Sequence, residues 1–595
     1  MAFGGLKKLV ALCLIDRLAK QPANPLPKGI GFDARDPGFS STLKEAQGAE
    51  DMGATLVVSV DVVIIGSGAG GGVAAANLAK AGLHVLVLEK GSWVPSTDLE
   101  QQEPDGYASL YEQAGSMQDS EAVFSVLAGS TLGGGTRVNW CASFRTPAHV
   151  RKEWSADLGL EAFAGAEYER ALDAVCERLH VRTGFKHSQL CHTLAAGCEE
   201  LDIPFSEVKR NCTLDECSTY CALGCKRGGK QDSVRGWLAE ACEHGAKILT
   251  GAWADKIALG PAVGGRPRSA EGVLVRPAQG PLKSAVSIAV RAGAVISSAG
   301  SLHTPALLLR SGVTCRGNVG RHLRLHPVCM TMGLLSSPPK RPATLPDLED
   351  LGVQSVAARV GSVRPWDGTG MSVFSAALGD WEGSGYGSLL YTPQIMPAMT
   401  AATLPWVSPA DYKKLLARMG DLAIFLTIVR DTGEGEIKLD ADGQPMVHYA
   451  LSKRDKATML AGVRRAAEVM AAAGADAVLD LEPHARARFL FVEGGGDGAA
   501  AALPLFASDA DEEALRESDA HQMGTARLGR DPETSVLDAD GACWEVAGLY
   551  ALDASTFPTA TGVNPMVTTE AISYMLSARL AAKLRRREAD GNAGD

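Results

Sequence analysis

The first strongly hydrophobic stretch of the chain predicts a buried strand that leads directly into a helix. Residues 59–65 are mostly Val and Ile, and such a β-branched run is typical of a strand buried on both faces. A glycine-rich turn follows at 66–71, and an alanine-rich helical segment opens at Val73. A second apolar strand, 84–88, ends in Glu89. This order predicts a βαβ unit near the start of the chain.

The glycines of this turn have the spacing of a dinucleotide-binding fingerprint. Gly66 permits the tight turn, Gly68 lets the backbone approach a pyrophosphate, and Gly71 lets the helix pack against the strand. Glu89 places a carboxylate where it can accept hydrogen bonds from both hydroxyls of an adenosine ribose. A purely structural turn is the alternative, and the fingerprint by itself does not separate NAD from FAD.

Two other hydrophobic stretches raise the question of membrane contact. The uncharged window 383–410 contains four prolines, which would leave backbone groups unpaired in lipid, so it is not a spanning helix. Its aromatic and methionine side chains either line an apolar channel or a membrane-docking surface, or belong to a buried loop. The apolar run within 1–20 is short and flanked by charges, and we expect a membrane-surface, targeting or ordinary packed segment there.

Composition and charge narrow the class of protein. A chain of 595 residues with 46% hydrophobic and 21% charged residues is long enough for more than one domain and is not mainly disordered. Its 58 basic and 69 acidic residues give a net charge of -11, so no nucleic acid is expected as a partner. The 13 cysteines are too few for a disulfide scaffold, and no signal peptide opens the sequence. We therefore expect an intracellular protein with mostly reduced thiols, not a secreted one.

Five separated segments give a more specific indication. They are 128–140, 300–308, 521–525, 552–555 and 562–568. They follow one another as in the glucose-methanol-choline (GMC) family of FAD-dependent oxidoreductases, which the chain resembles from about residue 61 to about residue 584. The resemblance implies FAD as the cofactor. It also implies an α/β fold in which a Rossmann-like FAD-binding domain of the glutathione-reductase type carries an inserted α+β substrate-binding domain on an antiparallel sheet.

On this resemblance we expect the chain to divide into four parts. Residues 1–55 would form an N-terminal arm or targeting segment with peripheral membrane contact. Residues 56–330 would form the first part of the FAD-binding domain, with a cysteine-rich segment at 191–242. The substrate-binding domain would occupy 331–497 and cover the reactive face of the flavin, and 498–595 would complete the FAD-binding domain and carry the catalytic pair.

Within the family the chain is most similar to the long-chain fatty alcohol oxidases. The segments that carry this likeness are 70–75, 221–226 with Lys230, 245–251 and 521–529. The likeness implies that a long-chain primary alcohol is oxidised to the fatty aldehyde while O2 is reduced to H2O2. It also implies a role in lipid metabolism and peripheral association with a membrane, in the cell or in an organelle.

The resemblance assigns further positions to FAD. They are Gly133, Gly134, Thr136 and Asn139 along the flavin and pyrophosphate, Ala254 beside the adenine, Asp553 and Ala554 beside the pyrophosphate and ribityl chain, and Pro565 and Met566 beside the flavin ring. The backbone N–H of Met566 would point to that ring. For the glycines at 133–135 an ordinary turn is the alternative.

His521 and Asn564 match the catalytic pair of the family. Oxidising an unactivated alcohol removes the hydroxyl proton and moves a hydride from the same carbon to flavin N5, so a base and an orienting hydrogen bond must meet at one oxygen. Neutral histidine suits the base, and an asparagine amide can orient the oxygen. A histidine considered alone is more often a packed or surface residue. His322 and His326 are interpreted as structural, because no acid or thiol motif accompanies them.

Four cysteines, Cys212, Cys217, Cys221 and Cys225, leave the electron acceptor open. Thiols at this spacing could hold zinc or an iron–sulfur cluster, or they could be small buried hydrophobes. A cluster would make the protein an FAD-dependent alcohol or sugar dehydrogenase that passes electrons to another acceptor. An FAD-containing lyase on the same fold and a non-catalytic flavin-binding protein are further alternatives.

Overall fold

The computed structural model describes residues 32–33, 50–52, 55–99, 101–215, 220–262, 267–278, 287–335, 363–404, 408–480, 488–491 and 517–592. The expectations for the N-terminal segment 1–20, for Cys217 and for residues 405–407 of the uncharged window lie outside the described residues.

The described secondary structure comprises strands and α-helices distributed over the whole chain. The strands are β1 (Phe32–Asp33), β2 (Glu50–Met52), β3 (Thr55–Ile65), β4 (Val85–Leu88), β5 (Phe124–Val126), β6 (Val181–Arg182), β7 (Ser206–Glu207), β8 (Arg210–Asn211), β9 (Lys247–Thr250), β10 (Ala252–Leu259), β11 (Arg268–Pro277), β12 (Ser287–Ser297), β13 (Arg321–Leu323), β14 (Val328–Leu334), β15 (Val373–Leu378), β16 (Ser388–Tyr391), β17 (Leu422–Val429), β18 (Gly435–Leu439), β19 (Pro445–His448), β20 (Ala477–Asp480), β21 (Arg488–Phe491), β22 (Glu517–Asp519), β23 (Val546–Ala547) and β24 (Leu549–Ala551). The α-helices are α1 (Ala69–Lys80), α2 (Glu103–Leu110), α3 (Gly135–Val138), α4 (Ala148–Lys152), α5 (Ala166–Arg178), α6 (Gln189–Glu200), α7 (Ala239–Glu243), α8 (Gly300–Arg310), α9 (Pro397–Thr403), α10 (Pro409–Ala417), α11 (Lys453–Ala472) and α12 (Met566–Asn592).

The larger sheet contains the predicted βαβ unit. Its central order is β1-β9-β4-β3-β12-β11-β10, and β2, β23 and β24 attach to β3, β11 and β12. Strand β3 is parallel to both β4 and β12, whereas β10, β11 and β12 are antiparallel to one another. The predicted strand 59–65 lies within β3, the helix becomes α1, and the strand 84–88 becomes β4. The Rossmann-like α/β fold is therefore confirmed.

Helix α12, which comes from the C-terminal part of the chain, packs beside this sheet. It packs along α1, where Asn77 Nδ2 donates to Ser577 Oγ at 2.9 Å. Strand β24 adds itself parallel to β12, with Ile296 opposite Tyr550. The core of this part of the molecule is one large apolar cluster that joins β3, β4 and α1 to α12. Strands β3 and β4 and helix α1 thus share one apolar core with β24 and α12.

The second sheet is largely antiparallel. Its order is β21-β20-β14-β17-β16-β15-β7, and β22 joins β14 to β5. Every residue of β17 is buried, because α11 covers one face and further apolar side chains cover the other. Helix α6 packs on α11. This sheet brings β22, and the segment that follows it, close to the larger sheet.

The uncharged window does not form one continuous helix. It contains strand β16, helix α9 and the start of helix α10, and Pro397 and Pro409 are each the first residue of a helix, where a missing N–H costs no hydrogen bond. Among the described residues, none of the helices combines the length and the apolar character that crossing a bilayer requires.

Candidate functional site

The glycine turn after β3 is tightly constrained by its surroundings. Gly66 has a φ of +99°, and a Cβ atom there would overlap the carbonyl oxygen of Ser298. A Cβ atom on Gly71 would overlap the carbonyl oxygen of Gly66, so the helix can begin this close to the strand only with glycine. Gly68 precedes α1 without a side-chain cap and lies against Gly134.

Glu89 lies at the end of β4 and is buried. Its carboxylate accepts hydrogen bonds from the backbone N–H of Ser67 (3.1 Å), the hydroxyl of Ser67 (2.6 Å) and the backbone N–H of Gly91 (2.7 Å). Burial raises the pKa of Glu89, and these hydrogen bonds oppose that rise. The Ser67 hydroxyl also accepts from the backbone N–H of Gly133 at 2.9 Å. Ser67, which the sequence analysis did not single out, therefore ties Glu89 to the second glycine segment.

The second glycine segment forms a tight turn with two left-handed residues. Gly133 and Gly134 have φ values of +94° and +52°. Thr136 donates its hydroxyl to the carbonyl of Gly133 at 2.6 Å and accepts from the backbone N–H of Ser233 at 2.9 Å. Asn139 Nδ2 lies 3.0 Å from the sulfur of Met566. The structure thus brings these predicted residues together with the start of α12.

Lys230 holds the end of the same segment through hydrogen bonds to backbone carbonyls. It is fully buried, and its Nζ donates to the backbone carbonyls of Arg137 (3.0 Å), Asn139 (2.6 Å) and Cys221 (3.0 Å). Three carbonyl acceptors replace the three water molecules that an ammonium group loses on burial. The lysine therefore holds the backbone of Asn139 in place.

The C-terminal motif lies directly against the fingerprint. Asp553 is buried, and its carboxylate accepts from the backbone N–H of Gly300 (2.8 Å), the Thr304 hydroxyl (2.6 Å) and the backbone N–H of Ser555 (2.8 Å). Burial raises its pKa. A Cβ atom on Gly70 would overlap the carbonyl oxygen of Leu552, which shows how closely the two motifs approach.

The remaining predicted residues, Ala254, Ala554 and Pro565, each accept a hydrogen bond through their backbone carbonyls. Ala254 lies on β10, and its carbonyl accepts from Arg310 Nη2 at 3.2 Å. The carbonyl of Ala554 accepts from the backbone N–H of Gly524 at 3.0 Å, three residues after His521. The carbonyl of Pro565 accepts from Thr569 in the first turn of α12.

These groups fit an extended dinucleotide. Helices α1 and α8 both begin at the carboxyl edge of the larger sheet. Helix α1 has no side-chain cap, whereas the Asp553 carboxylate accepts from the backbone N–H of Gly300 at the start of α8. A Cβ atom on Gly135 or Gly300 would meet nothing within 4 Å, so the backbone there faces open space. The free N-terminus of α1 beside glycine backbone suits a pyrophosphate, and Glu89 suits the ribose.

His521 and Asn564 meet although they come from different parts of the fold. His521 follows β22 of the second sheet, and Asn564 precedes α12. Asn564 Nδ2 donates to His521 Nε2 at 3.1 Å, which requires an unprotonated Nε2. Burial lowers the pKa of His521 to about 4, so the ring is neutral at physiological pH. The buried Oδ1 of Asn564 has no hydrogen-bond partner within the described ranges.

His326 supports both members of the pair. Its Nε2 accepts from the backbone N–H of Gly562 at 2.8 Å, and its ring packs edge to face on His521 with centroids 5.5 Å apart. Its φ is +54°, a strained value that is held by Asp431, which accepts from the His326 N–H at 3.3 Å. Burial, His521 and Arg430 keep the pKa of His326 well below its usual value.

His322 and His326 therefore do not share a site. His322 pairs with Glu434 at 2.8 Å, while His326 belongs to the surroundings of His521. His326 precedes Pro327 between β13 and β14, and no local sequence pattern marks its contact with Gly562.

Arg430 holds the loop before Asn564 from the other side. It is buried, pairs with Glu153 at 2.7 Å and donates from Nε to the carbonyl of Ala560 at 2.8 Å. Its guanidinium lies 4.1 Å from the ring centre of Tyr386. A side chain on Gly562 would press on Arg430, so glycine is needed at that position.

An apolar cluster lies beside the pair. Val563 and Met371 belong to it, and the Met371 sulfur is 3.8 Å from Asn564 Nδ2. Its aromatic members include Phe374 and Tyr391, whose rings stack at 5.7 Å, and Trp140 packs against it. A polar pair next to aromatic and methionine side chains suits a substrate with one hydroxyl and an apolar body.

The described cysteines near Lys230 are buried, and Cys212 and Cys221 belong to one small cluster with Cys141 and Phe185. Cys221 lies 3.9 Å, sulfur to sulfur, from Cys141; Cys212 approaches the carbonyl of Leu214, and Cys225 accepts from the Lys230 N–H. In the part of the chain that the structure describes, which excludes Cys217, no three His, Cys, Asp or Glu side chains are grouped to hold a metal ion.

The chain is similar to known proteins over most of its length. Two family models described as GMC oxidoreductase match residues 107–328 and 431–573, and one described as an NAD(P)-binding Rossmann-like domain matches 64–110. Long-chain-alcohol oxidase FAO4B of Arabidopsis thaliana is 36% identical over 96% of this chain and 74% of its own length. Long-chain-alcohol oxidase FAO3 of the same plant is 34% identical over 89% of this chain and 68% of its own length.

A solved structure is similar to this chain in fold. The formate oxidase of Aspergillus oryzae superposes with a TM-score of 0.63 over 88% of this chain and 98% of its own, at 16% identity.

Proposed function

Because this chain belongs to the GMC oxidoreductase family, we propose that it oxidises a long-chain primary alcohol to the aldehyde while O2 is reduced to H2O2. The cofactor is FAD, which accepts the hydride from the alcohol carbon when it is bound. The observation that carries the proposal is the 3.1 Å approach of His521 and Asn564 beside an apolar cluster. The names of the relatives at 36% and 34% identity support the choice of a long-chain alcohol.

In the proposed mechanism His521 accepts the hydroxyl proton. The substrate oxygen replaces the direct contact between the two side chains, so that His521 Nε2 accepts its proton and Asn564 Nδ2 donates to it. The ring is ready for this role because its lowered pKa keeps Nε2 unprotonated before the substrate arrives. Asn564 fixes the oxygen, and with it the carbon from which the hydride leaves.

The residues around His521 and Asn564 determine how precisely these two side chains are positioned. His326 and Arg430 hold the loop that ends in Asn564, and Lys230 holds the backbone of Asn139 beside Met566. The apolar cluster with Met371 and Phe374 would take the alkyl chain next to the hydroxyl and exclude water from the reacting atoms.

The experiment that tests the proposal is anaerobic mixing of the FAD-loaded protein with dodecanol, followed by air. We expect the flavin absorbance to bleach and then to recover with release of peroxide. Bleaching without prompt recovery would favour the dehydrogenase alternative. No bleaching with dodecanol, short alcohols or sugars would contradict alcohol oxidation and favour the lyase.

His521→Ala tests the assignment of the base. We expect turnover to fall by about a thousandfold, within the range for removing a general base, while the FAD content stays at the wild-type level. His244→Ala is the matched control, because His244 is exposed at the end of α7. Equal turnover in His521→Ala and His244→Ala would refute the assignment.

A further inference from the structure

A pair of thiols outside the flavin site joins two distant parts of the chain. Cys315 lies in the turn after α8, and Cys543 lies just before β23. Their sulfur atoms are 3.5 Å apart, and both side chains are almost fully buried, with 3% and 7% exposure. The two residues are 228 positions apart in sequence.

The backbone around the pair keeps the two sulfurs facing each other. The carboxylate of Glu545, two residues after Cys543, accepts from the N–H of Thr314 at 3.0 Å and of Cys315 at 2.7 Å. Its other oxygen accepts from Arg268 at 2.7 Å. A single carboxylate therefore anchors the backbone of one cysteine beside the strand of the other, so the approach does not depend on flexible side chains.

The two thiols are chemically unequal. Either thiol can donate across the contact, and when Cys315 donates, Cys543 is favoured in its ionised form. The backbone N–H groups of Glu545 and Val546 favour the same form, so the pKa of Cys543 is lowered although burial opposes this. The same hydrogen bond, together with burial, raises the pKa of Cys315. Thiolate is the form that reacts with peroxides, so Cys543 is the one that would react first.

We propose that Cys315 and Cys543 form a reversible disulfide when the protein is exposed to hydrogen peroxide. The Cys543 thiolate attacks one peroxide oxygen, which breaks the O–O bond, gives a sulfenic acid and releases water once a proton is taken up. The Cys315 sulfur then attacks the Cys543 sulfur, forms the S–S bond and releases the second water. Two thiols are oxidised by two electrons, and one H2O2 is reduced to two H2O.

The geometry requires only a small adjustment. A disulfide bond is about 2.0 Å long, so the sulfurs must approach by roughly 1.5 Å. The source of H2O2 inside the cell rests on the proposed function, since that reaction produces peroxide. The disulfide itself can be tested with added peroxide.

The experiment treats the FAD-loaded protein with a few equivalents of H2O2, blocks the remaining thiols, and identifies cross-linked peptides by mass spectrometry. We expect one peptide that joins Cys315 to Cys543 and a melting temperature raised by about 4 °C, both reversed by dithiothreitol. Absence of this peptide, or a cross-link between Cys141 and Cys221 in its place, would overturn the proposal.

Two variants separate the pair from other thiol chemistry. In Cys315→Ser the cross-link and the melting shift should be lost, and dimedone should trap a sulfenic acid on Cys543. Cys198→Ser is the control, because Cys198 is a buried thiol whose pKa burial raises to about 12, and it should behave as wild type. A melting shift that persists in Cys315→Ser would contradict the disulfide.

A second experiment separates failure of the disulfide proposal from failure of the proposed function. The protein turns over dodecanol in air, with and without catalase. A cross-link that forms only without catalase supports both. A cross-link with added H2O2 but not during turnover supports the disulfide and counts against the production of peroxide.

Discussion

At the scale of single residues, His326 is the position where the structure adds most to the sequence. His326→Phe keeps the ring's size but removes the acceptor for the Gly562 N–H, which is 2.8 Å away and buried. An unsatisfied buried N–H costs about 1–3 kcal/mol, and the loop that it destabilises ends in Asn564. We expect kcat to fall about tenfold with the FAD content unchanged, and His326→Gln, which restores an acceptor, to recover most of it. Equal kcat in wild type and His326→Phe would show that the loop needs no such support.

The pKa of His521 makes a second prediction at this scale. A histidine in water has a pKa of about 6.5, whereas burial lowers that of His521 to about 4. Only the neutral ring accepts a proton, so the rate of flavin bleaching should stay level as the pH falls through 6.5 and halve only near pH 4. A midpoint near 6.5 would contradict this. Unfolding must be monitored in parallel, because the unfolded chain binds these protons below about pH 6.5 and stability falls there.

The residue types of the candidate site could be predicted from the sequence, but their partners could not. Glu89, His521 and Asn564 stand in recognisable motifs. Ser67 and His326 do not, because their roles depend on contacts with Gly133 and Gly562, which are 66 and 236 positions away in sequence. Side chains that act through distant backbone leave no local pattern.

At the scale of elements, the turn between β3 and α1 is the most sensitive junction. Gly71→Ala places a Cβ atom on the carbonyl of Gly66, and backbone cannot move away as a side chain can. We expect a loss of FAD binding and a melting temperature several degrees lower, measured by flavin absorbance and thermal unfolding. Gly236→Ala is the control, since a Cβ atom there meets nothing within 4 Å. Normal FAD content in Gly71→Ala would contradict the role given to this glycine.

The elements that were predictable are those specified by local pattern. β3, α1 and β4 follow from consecutive runs of Val, Ile and Ala around a glycine turn. The attachment of β24 to β12 did not follow, because it joins residues about 250 positions apart and a three-residue strand carries no periodicity.

At the scale of the whole molecule, FAD should link the ends of the chain. Its predicted contacts run from Gly66 and Glu89 to Asp553 and Met566, so binding should stabilise the complete fold. FAD at a hundred times its Kd adds about 2.7 kcal/mol to the free energy of unfolding. We expect the melting temperature to fall when FAD is removed and to recover on reloading. FMN, which lacks the adenosine that Glu89 would bind, should restore less, and equal recovery with FMN would contradict the assignment of Glu89.

The division of the chain at 331 and 497 stays a prediction. The α/β fold and the family were predictable because their motifs are spread over most of the chain. The contact between His521 and Asn564 was not predictable, since it depends on where β22 pairs.

The late position of β24 and α12 has a consequence for synthesis of the protein. A ribosome releases β3 and the glycine turn long before Asn564 and β24, the strand that pairs with β12 of the larger sheet. A translation product interrupted between them carries the first glycine turn but lacks Asn564. Such a product would be unable to carry out the alcohol oxidation that we propose, and would release no peroxide.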